Sequence, residues 1–224
     1  MKNQFLLKLS LATVVLFLMV SCSKEETATV AVTQVWAPKN LDVVTYSDGT
    51  PIPQITRMDE WLDTSVGAWC HYNNDPANDA IYGKLYNRYA VQGIHDRDPN
   101  TPNKSLAPIG YHIPTVAEWD TFLYSLDHPS VAGGKMKEMG TTHWKSPNTG
   151  ATNSSNFMGL PGGIRSVTGS FSEIGEAGYW WSADDYVFGN MSTPHARTLR
   201  YDNVLCMGIS LIQNTGCSVR CLKD

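Results

Sequence analysis

The sequence predicts an α+β fold, loop-rich, with helices early and short antiparallel strands late. Three observations carry this reading. Helix-type apolar spacing is confined to residues before about 137, whereas the chain after them breaks into short, glycine-punctuated apolar segments. The composition joins seven Trp, ten Tyr and six Phe to 18 Gly and 12 Pro, with only 17% charged residues. That mix suits short strands between loops and does not suit a helical bundle. No internal repeat is present.

The elements follow in order. Trp36 to Tyr46 reads as a first strand, closed by the Asp48-Gly49 turn signal. Thr56 is expected to cap a short helix running to Ser65, with Met58, Trp61 and Leu62 on its apolar side. Ala68 to Tyr72 is a short extended segment, Asn73 to Asp79 a polar turn, and His95 to Ser105 a surface loop. The clearest helix begins at Thr115: Thr115 and Glu118 stand at capping-box spacing, and Val116, Trp119, Leu123 and Leu126 recur on one face. Val131 to Lys137 reads as a second short helix. Strands are then expected near Phe157 to Gly163, Ser170-Phe171, Tyr179 to Ser182, Thr198 to Tyr201, Val204 to Ile212 and Ser218 to Leu222. Trp180 and Trp181 alternate faces of their strand, so one of the two is expected in the core. Gly162-Gly163 is expected to form a tight turn.

The first residues do not read as part of this fold. Lys2 and Lys8 precede an apolar run from Leu9 to Val20, short for a membrane-spanning helix and suited to a secretory signal. The run ends in Leu18-Met19-Val20-Ser21-Cys22, which resembles a lipoprotein signal peptidase site. The expectation is a signal peptide over 1–21, a lipid on Cys22 that partners the chain with a membrane, a tether over 22–35, and one domain over 36–224. An ordinary cleaved signal, without lipid, is the alternative. Ser23-Lys24-Glu25-Glu26 looks like the surface-export signal of some Gram-negative lipoproteins, and a solvated tether facing the periplasm is the other reading. The expected location is the outer membrane, lipid-anchored, with the body displayed at the cell surface.

Removal of residues 1–21 leaves 203 residues with 15 basic against 21 acidic side chains, a net charge of −6. An acidic chain without a basic run is a poor nucleic-acid partner. Four cysteines remain beside Cys22: Cys70, Cys206, Cys217 and Cys221. Export permits disulfides, and four cysteines allow three pairings, which the sequence does not choose between; buried free thiols are the alternative.

A set of blocks in order then resembles a known family. They are Trp69 to Asn78, Tyr82 to Asn87, Leu106 to Gly110, Pro114 to Trp119, Gly140 to Trp144, Leu160 to Gly163, Gly178 to Ser182 and Ser218 to Cys221. Together they look like the Fibrobacter succinogenes major paralogous domain. The resemblance implies a C-type-lectin-like fold related to formylglycine-generating enzymes, and a Cys70–Cys221 bridge joining the two ends of the domain. Cys206 and Cys217 are then chance products or a variant-specific bridge. Family members often carry many Asn and Tyr between the Trp-Trp-Ser and Ser-Val-Arg-Cys blocks, and this chain does not. Similar segments are diversified by retroelements that randomise adenine-containing codons; ordinary drift in a structural region is the competing explanation.

No catalytic motif is found: no Gly-x-Ser-x-Gly, no His-Glu-x-x-His and no phosphate-cradling loop. The six His are scattered, and Asp96 to Asn100 lacks the later Gly and Glu of a calcium loop. The expectation is a binding protein without catalytic residues, metal or cofactor, whose ligand is an extracellular protein or glycan. The candidate ligand-binding residues are Tyr186, Phe188, His195, Arg197, Tyr201, Leu205, Met207, Ile209 and Leu211, since exposed aromatic and aliphatic groups on a stable scaffold suit recognition. The rivals are an envelope or adhesion component that assembles through strand edges and an enzyme descended from the formylglycine-generating fold.

Overall fold

A computed structural model describes residues 34–224; the expected signal peptide, Cys22 and the tether before residue 34 lie outside the described residues. The elements are α1 (Met58–Asp63), β1 (Trp69–Cys70), α2 (Asp79–Tyr82), β2 (Leu85–Tyr86), α3 (Arg88–Gln92), β3 (Tyr111–His112), α4 (Val116–Ser125), α5 (Pro129–Met136), β4 (Gly162–Arg165), β5 (Phe171–Ile174), β6 (Ala177–Phe188), β7 (Met191–Arg200), β8 (Cys206–Ser210) and β9 (Leu222–Lys223). The predicted α+β order holds. Five strands form the main sheet in the order β5-β4-β6-β7-β8, while β1-β2 and β3-β9 are two-stranded ribbons.

Local chemistry explains the helices the sequence announced. The Thr115 hydroxyl accepts from the Glu118 N–H at 3.2 Å, and the Glu118 carboxylate accepts from the Thr115 N–H at 2.8 Å, so two of the free donors at the start of α4 are satisfied. Helix α5 starts on Pro129, where a missing N–H costs nothing. Thr56 does not cap α1: the residue before that helix is Arg57, without a side-chain cap. Only Trp61 of its expected apolar side is buried, while Met58 and Leu62 face solvent. The predicted first strand reduces to isolated bridges, Trp36 to Leu222 and Thr45 to Pro51.

Trp180 and Trp181 are both fully buried, correcting the expectation that one would be. Their side chains do point to opposite faces of β6, but each face is covered. Trp180 joins Trp119, Leu123, Trp144, Phe157 and Leu199 beneath α4 and α5. Trp181 joins Trp69, Tyr86, Ala90, Ala196 and Val219 on the other side. Each indole N–H finds an acceptor, Asn40 Oδ1 and the Tyr86 carbonyl respectively, both at 2.8 Å. Gly163 lies inside β4 with φ +69°, where a Cβ would meet the Ser172 carbonyl at 2.5 Å. The glycine permits the close pass of β5 and makes no turn, contrary to the sequence reading.

The four body cysteines are free and buried, so the structure contains none of the expected bridges. Cys70 packs with Trp61 and Leu85, Cys206 under α4 and α5, and Cys217 and Cys221 in the Trp181 cluster. Backbone pairing closes the domain instead: β9 lies beside β3, and Trp36 bridges Leu222.

Buried cations hold the loops. Arg220 donates to the Ala37 and Phe157 carbonyls at 3.1 and 2.7 Å and to Asn40 Oδ1 at 3.0 Å. Arg165 donates to the carbonyls of Ile55, Thr56, Arg57 and Gly169, its guanidinium lying 4.2 Å from the Trp61 ring centroid. Lys137 Nζ donates to the Thr149, Arg200 and Asn203 carbonyls at 2.8–2.9 Å. Each cation gathers acceptors from chain segments far apart in sequence, which satisfies loop carbonyls that regular structure leaves unpaired.

Candidate functional site

Beyond Asp185, β6 leaves the body. A register shift between Trp181 and Asp185 re-aims the strand, and β6 and β7 continue as a two-stranded arm from Asp185–Pro194 to Phe188–Met191. Its tip is apolar and open to solvent: Phe188 is 68% exposed, and Val187 and Met191 nearly as much.

At the root of the arm lies a recess of about 410 Å³, lined by Asp120, Tyr186, His195, Arg197, Gly208 and Ser210. Strand register explains the assembly. His195 pairs with Ser210 and Arg197 with both Gly208 and Trp180, so these side chains share the sheet face that α4 covers. Toward α5 that face is apolar, with Trp180, Leu199 and Cys206. Past the first turns of α4 it becomes polar. Gly208 matters here because a Cβ would stand 2.6 Å from His195 Cε1 and Nε2; its bare backbone gives the imidazole its seat.

The recess carries balanced charge. Arg197 Nη2 donates to Asp120 Oδ1 at 2.5 Å. Burial, with the positive charge of Arg197 second, pushes the His195 pKa down to about 4, so the ring is neutral at physiological pH. The Tyr186 ring stacks on it, centroids 5.2 Å apart and planes at 28°. Neither ring nitrogen of His195 has a hydrogen-bond partner, and Arg197 Nε has none.

The nine residues singled out from the sequence do not share one surface. Tyr186, His195 and Arg197 line the recess, though His195 and Arg197 are buried where exposure was expected. Phe188 is at the arm tip. Met207 and Ile209 pair with Thr198 and Ala196 and point to the opposite face of the sheet; Ile209 and Leu211 pack on the Trp181 cluster. Tyr201 and Leu205 lie partly buried at the far end, where Tyr201 packs on the α4–α5 cluster. Asp120, Gly208 and Ser210 complete the recess and are not among those nine. A lone glycine inside a strand pattern was the available signal for Gly208; Asp120 reaches the site only once α4 is laid on the sheet.

A second recess, about 460 Å³, is walled by the 94–103 loop. Its carboxylates are turned on their own backbone: Asp96 accepts from Asp98 N–H and Asp98 from Asn100 N–H. Among the described residues no group of three His, Cys, Asp or Glu is placed to hold a metal ion, and no helix is long and apolar enough to cross a membrane.

Residues 31–223 match the family model of the Fibrobacter succinogenes major domain. No curated protein matches the chain, and no solved structure matches it.

Proposed function

The chain belongs to the Fibrobacter succinogenes major domain family, and from that premise we propose that it is a lipid-anchored binding protein of the cell surface. Cys22 carries the lipid, Ser23 to Glu26 direct the chain outward, and the β6–β8 region presents the ligand face. The ligand is an extracellular protein or a glycan, and no catalytic step or cofactor is involved. The observation that carries this reading is the pairing of an exposed apolar arm tip with a polar recess at its root. Solvent-exposed Phe188, Val187 and Met191 contribute nothing to the core, so burial of their apolar surface waits for a partner. Diversification would fit the same layout: every recess residue except Asp120 lies between Trp181 and Ser218, while the cations that hold the loops lie outside that segment.

The test is made on intact cells expressing the full chain. Added protease is expected to remove the wild-type body, while Cys22→Ser should leave the membrane fraction. A wild-type body protected on intact cells and degraded only after lysis would overturn surface display. Retention of Cys22→Ser in the membrane would overturn the anchor.

A further inference from the structure

We infer that the recess at the root of the arm receives a neutral, hydroxyl-bearing ring, a single sugar residue of a glycan. The inference rests on the binding role proposed above and names the ligand class for it.

The side chains facing the recess set this class. His195 is 5% exposed and Arg197 7% exposed, yet three of their nitrogens lack partners. Buried polar groups in folded proteins are paired with few exceptions, so three unpaired nitrogens behind one recess call for a partner, which a ligand would supply. A neutral imidazole offers one donor and one acceptor, Arg197 Nε one donor, and Asp120 further acceptor sites. Adjacent hydroxyls, each both donor and acceptor, match that mixed set. An anion does not, because Arg197 is already neutralised by Asp120 at 2.5 Å. A cation finds no free carboxylate, because Asp120 is already paired with Arg197. A purely apolar ring would leave all three nitrogens unpaired.

Shape agrees. About 410 Å³ is at the small end of ligand sites, which run from ~300 to ~1,000 Å³. Tyr186 is 45% exposed and stacks on His195. In this arrangement the three nitrogens are closed from solvent behind the Tyr186 ring; the inferred binding therefore requires that ring to give way to the sugar, for whose C–H face it is then an aromatic platform.

Full-length lipidated protein in detergent micelles should be applied to a printed panel of neutral glycans beside sialylated and sulfated ones. Wild type is expected to retain neutral glycans. His195→Phe keeps the ring and its stack but removes both nitrogens, and should reduce retention about tenfold or more while the thermal midpoint stays or rises. Gly208→Val, which drives a side chain into the His195 seat, should reduce retention likewise, with a lowered thermal midpoint from the clash. Retention of acidic glycans alone overturns the inference. Neutral-glycan retention unchanged in both variants but lost in Phe188→Ser also overturns it, placing the ligand on the arm tip and leaving the binding role intact. Retention of no glycan, with a purified protein bound instead through the arm, overturns it in favour of a protein ligand.

Discussion

Replacing His195 with Phe should change how stability responds to pH, and the structure fixes both sign and size. His195 is buried beside Arg197, with Arg88 adding to the positive side and Asp120 and Asp184 opposing it; the balance holds its pKa near 4 against an ordinary 6.5. The unfolded chain takes up this proton near pH 6.5 and the folded chain only near 4. The unfolded state therefore binds more protons between these values, so stability is complete above about 6.5 and is lost as pH falls to about 4. At 1.36 kcal/mol per pKa unit the gap corresponds to about 3 kcal/mol. Urea unfolding of full-length wild type and His195→Phe, followed by Trp fluorescence from about pH 7.5 to about pH 4, isolates the term because every other group is common to both chains. That includes His112, where burial lowers the pKa but the bonds to Asp224 and Glu118 raise it on balance. Wild type should lose about 3 kcal/mol relative to the variant across the range. Parallel curves would refute the claim that His195 is held neutral by burial.

Other perturbations test the scaffold. Arg220→Met strands the Ala37 and Phe157 carbonyls and leaves Asn40 Oδ1 with Trp180 as its donor, and should cost about 3 kcal/mol or more in chemical unfolding; a cost below ~1 kcal/mol would deny the cation its organising role. Trp180→Ala and Trp181→Ala should each cost about 3–5 kcal/mol, since both rings are buried; one mild and one severe loss would restore the single-core-face reading. All four body thiols are buried, and burial pushes those of Cys70, Cys206 and Cys221 up to about 12. Alkylation without reductant should therefore label Cys70, Cys206, Cys217 and Cys221 only after unfolding, as read by peptide mass; a disulfide-linked peptide would contradict the free-thiol assignment.

What was legible in the sequence was mostly local. The Thr115–Glu118 box, the α4 periodicity and the glycine-punctuated strands depend on residues within a few positions of one another, so spacing suffices. The buried cations were invisible because their partners are backbone carbonyls, which carry no side-chain signature: Arg220 reaches Ala37, and Arg165 reaches Ile55. Trp180 and Trp181 were misread because period-2 alternation gives direction but not what covers each face. Thr56 has the right residue type for a cap, but the helix starts after Arg57. The resemblance-based bridge failed because Cys70 and Cys221 sit in separate clusters. Half of the recess was named from the sequence, but of those three residues only Tyr186 has the expected exposure: the β7–β8 register and α4 bury His195 and Arg197, and the same placement brings in Asp120, Gly208 and Ser210.

The measurement closest to the central claim is ¹⁵N NMR of full-length protein labelled only at histidine, titrated with a neutral glycan retained on the panel. Six imidazoles, at 71, 95, 112, 128, 143 and 195, then report from separate parts of the chain. The account predicts that the His195 ring nitrogens shift on binding, in the neutral form, while the other five stay in place. Saturable binding that leaves His195 unmoved would contradict it.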